Sequence, residues 1–310
     1  MNQAPKLSVV VPVFWNEKSL PSLFSELSNT ERQLNEKGYT LELIFVDDGS
    51  ADRSWHELLK IKERRQETRV IKLTRNFGAV HATKAGLQFV TGNCFLVLAA
   101  DLQDPPELIS KMLEHWEKGS KFVICTRSSR HDPVASKIFA RFYYGLLRLF
   151  VVKDYPPGGY DLALMDSALL PHLQNSSKNI NTLLFAYWLG FKPTIIHYDR
   201  RKREHGRSGW SFSKRFKFFL DSLLGFSIVP IRMISLIGLI VAILSFSYGA
   251  IIFVNTLLGR SDVRGFATIV ALMAFLLGLV IIMLGIIGEY LWRIFDESTK
   301  RPEAVIEEIY

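Results

Sequence analysis

The sequence is poor in cysteine, with two residues in a chain of 310. Cys94 and Cys125 each fall inside an apolar, strand-like run. That excludes a disulfide framework and makes both buried free thiols of a reducing compartment. Neither a G-x-x-x-x-G-K-[S/T] loop nor a G-x-G-x-x-G turn occurs, which removes the main support for ATPase or dinucleotide chemistry. No Ser-His-Asp or Cys-His grouping declares itself, and there is no internal repeat or low-complexity segment. The N-terminus lacks a basic region followed by an apolar stretch, so no cleaved signal peptide is expected.

Charge is missing from two long stretches, Met233 to Gly259 and Gly265 to Gly288. Each exceeds the ~20 residues needed to cross a hydrocarbon core of about 30 Å. Burying two such helices in a soluble core would need a second domain that the chain does not supply, so a transmembrane pair is expected over 229–258 and 265–292. The net charge of +8 would suit a nucleic acid, but its distribution argues otherwise. Eight Lys or Arg residues lie between Arg200 and Lys217, directly ahead of the apolar region. Basic clusters there meet anionic lipid on the cytoplasmic face, which also places the large domain and the 293–310 tail in the cytoplasm.

Up to about residue 210 the pattern alternates between strand and helix. Leu7 to Val13 reads as a β-branched strand, followed by a helix from Leu20 to Glu36 that Gly38 closes. Further strands are expected at Leu41 to Val46, Val70 to Leu73, Cys94 to Ala99 and Phe122 to Thr126, with helices at Asp52 to Glu67 and Val80 to Val90. This rhythm implies an α/β domain with a mostly parallel, Rossmann-like sheet wound in right-handed units. Ser136 to Val152 is rich in aromatics with a basic flank, and fits either a core helix or one lying in a membrane interface. Leu162 to Leu170 reads as a helix after the loop Pro156 to Asp161, and Ser211 to Phe226 as a basic amphipathic helix at the interface, assigned to 211–228.

Ligands of open α/β sheets bind beyond the C-terminal ends of the strands. Asn16, Glu17, Asp47, Asp48, Asn76, Asp101 and Gln103 all fall at such ends. Asp101 and Gln103 offer two hard oxygen ligands, two residues apart, that a turn can aim at one Mg²⁺ or Mn²⁺ while substrate phosphates complete the shell. Asp104, just before Pro105, reads as a helix N-cap. Arg127, Arg130 and the run from Arg200 to Arg203 can supply cations. Carboxylates, a divalent ion and arginines together suit a diphosphate leaving group.

Three motifs in order carry a resemblance. Val9-Val10-Val11-Pro12-Val13 with Asn16-Glu17, then Val46-Asp47-Asp48-Gly49-Ser50, then Asp101-Leu102-Gln103-Asp104-Pro105-Pro106-Glu107 resemble the inverting family 2 glycosyltransferases. The apolar tail and the loop Arg203-Glu204-His205-Gly206-Arg207-Ser208 narrow this to the polyprenyl-phosphate glycosyltransferases. That subgroup includes the dolichyl-phosphate mannose synthases and the bacterial enzymes that load glucose onto undecaprenyl phosphate.

The resemblance covers the whole chain and implies a GT-A fold, a UDP- or GDP-sugar donor, Mg²⁺ or Mn²⁺, and a lipid phosphate acceptor. It implies that Pro12, Glu17 and Asp48 hold base and ribose, and that Asp101 and Gln103 bind the metal. Many relatives have a further Asp where this chain has Ala99, which leaves more weight on Asp101.

A lipid phosphate is already an anion near neutral pH, so no general base is needed to activate it. Cationic positioning is needed instead, and Arg127, Arg130 and Arg203 are the candidates, against their reading as a solvated or lipid-facing basic patch. Asp161 either stabilises the sugar cation of the transition state or caps the helix after it. Glucose is the first expectation for the sugar, with mannose or an aminoarabinose derivative as alternatives. A processive polysaccharide synthase lacks support because no Gln-x-x-Arg-Trp motif occurs. A non-catalytic nucleotide-sugar-binding subunit and a two-span transporter are the remaining rivals. The bacterial relatives suggest a homo-oligomer, a tetramer, and Gly278, Gly285 and Gly288 permit close helix packing.

Overall fold

The computed structural model describes residues 4–128, 134–178, 180–201, 219, 221–259 and 265–310. By its internal contacts the chain divides into two units, residues up to Ser222 together with Pro302–Tyr310, and Leu223–Arg301.

The first unit is built on one sheet. Its strands are β1 (Lys6–Val13), β2 (Thr40–Asp47), β3 (Arg69–Leu73), β4 (Cys94–Val97), β5 (Phe122–Arg127), β6 (Leu162–Asp166), β7 (Thr194–Tyr198) and β8 (Ile306–Ile309). They lie in the order β7-β5-β6-β4-β1-β2-β3-β8. β1 pairs in parallel with β2 and β4, and β2 with β3, so the strand ends expected to carry the site lie on one edge. The runs read from β-branched residues are strands because both their faces are covered. Val9, Val11 and Val13 pack in one cluster with Leu20, Leu23 and Leu27 of α1 (Leu20–Glu36) and with Ile109 and Met112 of α4 (Leu108–Glu117). On the opposite face α3 (Ala79–Leu87) comes so close that a Cβ at Gly86 would lie 2.5 Å from Val10 and 2.9 Å from Val46. α2 (Ser54–Arg64) and α5 (Val134–Phe150) complete the larger helices of this unit.

Four expectations are corrected. Leu162 to Leu170 is not a helix: Leu162–Asp166 is β6, antiparallel to both β4 and β5, followed by a 3₁₀ turn and the short α6 (Leu170–Gln174). The local sequence lacks β-branched residues, and the pairing comes from two strands distant in sequence. Asp161 therefore has no helix to cap. β4 stops at Val97, two residues before Ala99, where the chain turns toward the site. Asp104 does not cap α4, whose first turn starts at Leu108 without a side-chain cap. Asp104 is instead 4% exposed and ion-paired.

α5 buries Tyr143 and Leu147 against the domain, as a core helix does, while Phe142 and Leu149 are exposed. α7 (Thr182–Trp188) closes the aromatic cluster of Tyr144, Tyr155, Tyr160 and Tyr187. Cys94 and Cys125 are buried and free, and burial pushes both thiols up to about 12.

The second unit holds α8 (Val229–Leu257) and α9 (Phe266–Ser298), which meet where a Cβ at Gly238 would lie 3.0 Å from Met283. Both are long and apolar enough to cross a membrane, over Val229–Asn255 and Phe275–Ser298. Their large apolar side chains, Leu244, Phe246 and Phe253 among them, are exposed rather than packed in a core. The chain leaves the first unit at Ser222 and rejoins it at Pro302, where β8 adds to the sheet edge antiparallel to β3.

Candidate active site

At the C-terminal ends of β1 and β2, two loops are sewn together. The Trp15 amide donates to Ser50 Oγ (3.1 Å), the Asn16 amide to Ser54 Oγ (2.8 Å) and the Glu17 amide to Asp52 Oδ2 (3.3 Å). Glu17 Oε2 in turn accepts the Arg53 amide at 3.1 Å. Asn16 also organises its own turn, accepting the Phe14 amide through Oδ1 and the Ser19 and Leu20 amides through its carbonyl. Pro12, half-buried in β1, pairs with Val46. Trp15 sits in the left-handed region (φ 57°) with its ring 64% exposed.

The adjacent carboxylates Asp47 and Asp48 have different surroundings. Asp48 receives the Phe77 amide on Oδ1 (2.7 Å) and the Gly78 amide on Oδ2 (2.8 Å), which ties β2 to the loop ahead of α3. Burial raises its pKa, and those two amides oppose the rise. Asp47 is fully buried, accepts a long bond from the Ser50 amide (3.4 Å) on Oδ2, and leaves Oδ1 buried without a hydrogen-bond partner. Burial also raises its pKa. Gly49 between Asp48 and Ser50 is required by geometry: its φ is +67°, and a Cβ would fall 2.5 Å from the Arg75 carbonyl carbon. Asn76 is exposed on the facing loop.

Beyond β4 the chain kinks at Leu102, which is buried and left-handed (φ 58°). Asp101 and Gln103 flank the kink, both half-buried, and the Gln103 amide donates to Asp101 Oδ1 at 3.3 Å. One carboxylate and one amide oxygen are a small set of hard donors, and among the described residues no group of three acidic, His or Cys side chains could hold a metal. Such a set fits a magnesium-type ion, which is bound through one or two protein oxygens plus the phosphates of its substrate.

Next to this turn lies a network of two acids and two arginines. Arg127 donates Nε to Asp161 Oδ2 (2.6 Å) and Nη2 to Asp161 Oδ1 (2.7 Å). Arg200 reaches Asp104 (Nε to Oδ1, 3.2 Å) and Asp161 (Nη1 to Oδ1, 3.6 Å). Tyr198 Oη donates to Asp104 Oδ1 at 2.5 Å. Hydrogen bonding to Asp161 raises the Arg127 pKa further, so the guanidinium stays charged. Burial raises the pKa of Asp104, opposed by Arg200 and Tyr198. Arg201 fastens the outer rim with its amide on the Gln103 carbonyl (3.1 Å) and its guanidinium on both Glu26 and Glu107. Such an arrangement keeps cationic side chains preoriented beside the Asp101–Gln103 turn.

Asp47, Asp48, Asn16 and Glu17 thus meet at one end of the sheet, and Asp101, Gln103, Arg127 and Asp161 at the neighbouring strand ends. Arg130, Arg203, and residues 211–218 and 220 of the expected interfacial helix lie outside the described residues. Tyr198, Ser54 and the partnership of Asp104 were missed by the sequence reading, since each depends on a contact remote in sequence.

A mostly parallel sheet with acids and amides at its strand ends, beside an arginine–carboxylate network, is a GT-A domain. The chain belongs to glycosyl transferase family 2, whose family profile matches residues 8–163. It is 32% identical over 308 residues to an uncharacterized glycosyltransferase of Synechocystis, covering 98% of this chain and 96% of that protein. It is 31% identical over 305 residues to the bactoprenol glucosyl transferase of Shigella phage SfV, covering 97% and 98%. Glucosyl-3-phosphoglycerate synthase from Mycobacterium tuberculosis, solved with Mn²⁺, UDP and glucosyl-3-phosphoglycerate, aligns over 65% of this chain and 73% of its own at 17% identity and a TM-score of 0.47.

Proposed function

We propose that this glycosyltransferase moves glucose from a nucleoside diphosphate donor, UDP-glucose, to a polyprenyl phosphate at the cytoplasmic face of a membrane. The observation that carries the reading is one combination: an arginine–carboxylate network beside a hard-donor pair, in a chain matched end to end by a bactoprenol glucosyl transferase and containing two membrane-length helices. Both ends of Leu223–Arg301 join one folded unit. A pair of crossing helices that leaves and returns to the same side satisfies this connectivity.

In this reading Pro12, Asn16, Glu17, Asp47, Asp48 and Asn76 form the nucleotide end of the site, where base N–H and ribose O–H groups find acceptors. Asp101 and Gln103 would hold Mg²⁺ or Mn²⁺, which supplies charge neutralisation for the departing diphosphate. Arg127, with Arg130 and Arg203, positions the lipid phosphate. A phosphate oxygen of the acceptor attacks the anomeric carbon from the face opposite the diphosphate. The new C–O bond forms as the bond to the diphosphate breaks, and the nucleoside diphosphate leaves with both electrons, so the configuration inverts. The Asp161 carboxylate, oriented by Arg127 and Arg200, can offset positive charge developing on the sugar ring. The α8–α9 pair anchors the protein, and Gly278, Gly285 and Gly288 allow neighbouring copies to approach in a homo-oligomer.

The test is product analysis. Purified full-length protein, UDP-glucose of α configuration, undecaprenyl phosphate and Mg²⁺ should yield a lipid phosphate ester of β-glucose by NMR. A retained α linkage, or glucose released to water with no lipid product, would overturn the reading.

A further inference from the structure

The carboxyl-terminal strand has a partner that the reaction does not use. Lys84 of α3 is 4% exposed, and its Nζ lies among three acceptors: the Ser176 carbonyl (2.8 Å), the Ser177 carbonyl (3.2 Å) and Glu303 Oε1 (2.7 Å). His81, one turn earlier on the same helix, places Nδ1 3.7 Å from Glu303 Oε2. Burial opposes the charge on Glu303, but Lys84 and His81 outweigh it and hold the carboxyl below the usual carboxylate range.

The strand that follows Glu303 braces the same region. The Thr74 amide donates to the Val305 carbonyl (3.0 Å), and Val70 and Tyr310 exchange a pair of bonds at 2.9 and 2.8 Å. Thr74 opens the loop whose Phe77 and Gly78 amides hold Asp48. The Tyr310 ring meets Trp55 of α2 edge-on at 5.9 Å, next to Ser54, which receives the Asn16 amide. The last residues of the chain therefore touch the starts of both helices that carry the donor loops.

We infer that Glu303 is a positioning residue for the nucleotide-sugar site, setting α3 through Lys84 and His81 so that the Phe77 and Gly78 amides meet Asp48. The inference rests on the reading of this end of the sheet as the donor site. It means that the site is completed only by residues downstream of α9, so a chain that ends before Pro302 folds its sheet without a braced donor loop. Misplacing a binding loop by a fraction of an ångström is enough to weaken a site that depends on fixed backbone donors.

The test uses full-length protein in detergent. Wild-type binding of UDP by calorimetry reports on the donor-site reading; if UDP does not bind, both reading and inference fall. Given wild-type binding, Glu303→Gln should raise the Kd for UDP and the KM for the nucleotide sugar by about tenfold, the loss of one charge-assisted hydrogen bond, with the KM for lipid phosphate within about twofold. Amide exchange at Phe77 and Gly78 should accelerate, and Glu303→Asp should restore most of the affinity. If Glu303→Gln does not fold, His81→Gln, a partly exposed change, should give a smaller rise confined to the same substrate. Unchanged UDP affinity in a folded variant would overturn the inference. So would equal rises in both KM values that merely follow a lowered melting temperature, as a structural role alone would produce.

Discussion

Arg127 grips Asp161 with two parallel hydrogen bonds, Nε to Oδ2 at 2.6 Å and Nη2 to Oδ1 at 2.7 Å. Neither residue is more than 23% exposed, so the pair is only partly screened. A guanidinium in this fork has a fixed plane, and it holds the carboxylate in one orientation. The network therefore constrains two residues that the proposed reaction needs in opposite roles. Asp161→Asn should leave the Kd for UDP unchanged while lowering turnover about 10²- to 10³-fold, the scale of removing one electrostatic stabiliser. Single-turnover kinetics alongside calorimetry separate the two effects. Unchanged turnover would rule out a catalytic role for Asp161.

Asp104 bears more of the fold than its place before a proline suggests. It is buried, with Arg200 and Tyr198 as partners. Removing the carboxylate in Asp104→Ala should destabilise the protein by about 3 kcal/mol, because Arg200 loses its nearer acid and keeps only Asp161 at 3.6 Å, while Tyr198 loses its shortest acceptor. Tyr198→Phe should cost about 1 kcal/mol. Denaturant titrations in detergent measure both.

Gly49→Ala tests the donor loop sterically. The backbone is left-handed there and the added methyl would meet the Arg75 backbone at 2.5 Å. The two loops must separate or Gly49 must change conformation, at about 1–3 kcal/mol of strain. A KM for the nucleotide sugar raised more than the KM for lipid phosphate is the expected result.

Acid should loosen the carboxyl-terminal strand. The folded pKa of Glu303 lies below its ordinary value of 4.5. For an acid with a lowered folded pKa, the stability it contributes is present above the unfolded value and is lost as pH falls through the folded one. Lys84 and His81 of α3 are the basic side chains that face it. Protection factors of the Thr74 and Tyr310 amides, which bond across β3 and β8, should fall on acidification below about 4.5 in the wild type. In Glu303→Gln they should start lower and change less.

Cys94 and Cys125 should be unreactive in the folded protein. Burial raises both thiols to about 12, so almost no thiolate exists at pH 8. A thiol reagent should label neither residue until denaturant is added, and then both.

Where the sequence was readable, the reason was local. Leu7 to Val13 and Leu41 to Val46 are runs that suit only a strand covered on both sides, and the polar residues after them fall at the strand ends as a parallel sheet requires. Where it failed, the cause was a partner far along the chain. Asp104 before a proline has the local look of a cap, but its arginine is 96 residues away. Leu162 to Met165 has no strand signal of its own and becomes one between β4 and β5. Ile306–Ile309 has two acids in four residues, a pattern that makes sense only once Lys72 of β3 pairs with Glu307 and Glu308.

The measurement that bears most directly on the proposed reaction is transfer of radiolabelled glucose from UDP-glucose to undecaprenyl phosphate by the full-length protein in detergent. It is made with Mg²⁺, with Mn²⁺ and with a chelator, alongside Asp101→Ala. Labelled lipid that requires both the ion and Asp101 is the predicted result. Transfer indifferent to the chelator and to Asp101→Ala would contradict the metal site, and no labelled lipid from UDP-glucose or any other nucleotide sugar would contradict the proposed reaction itself.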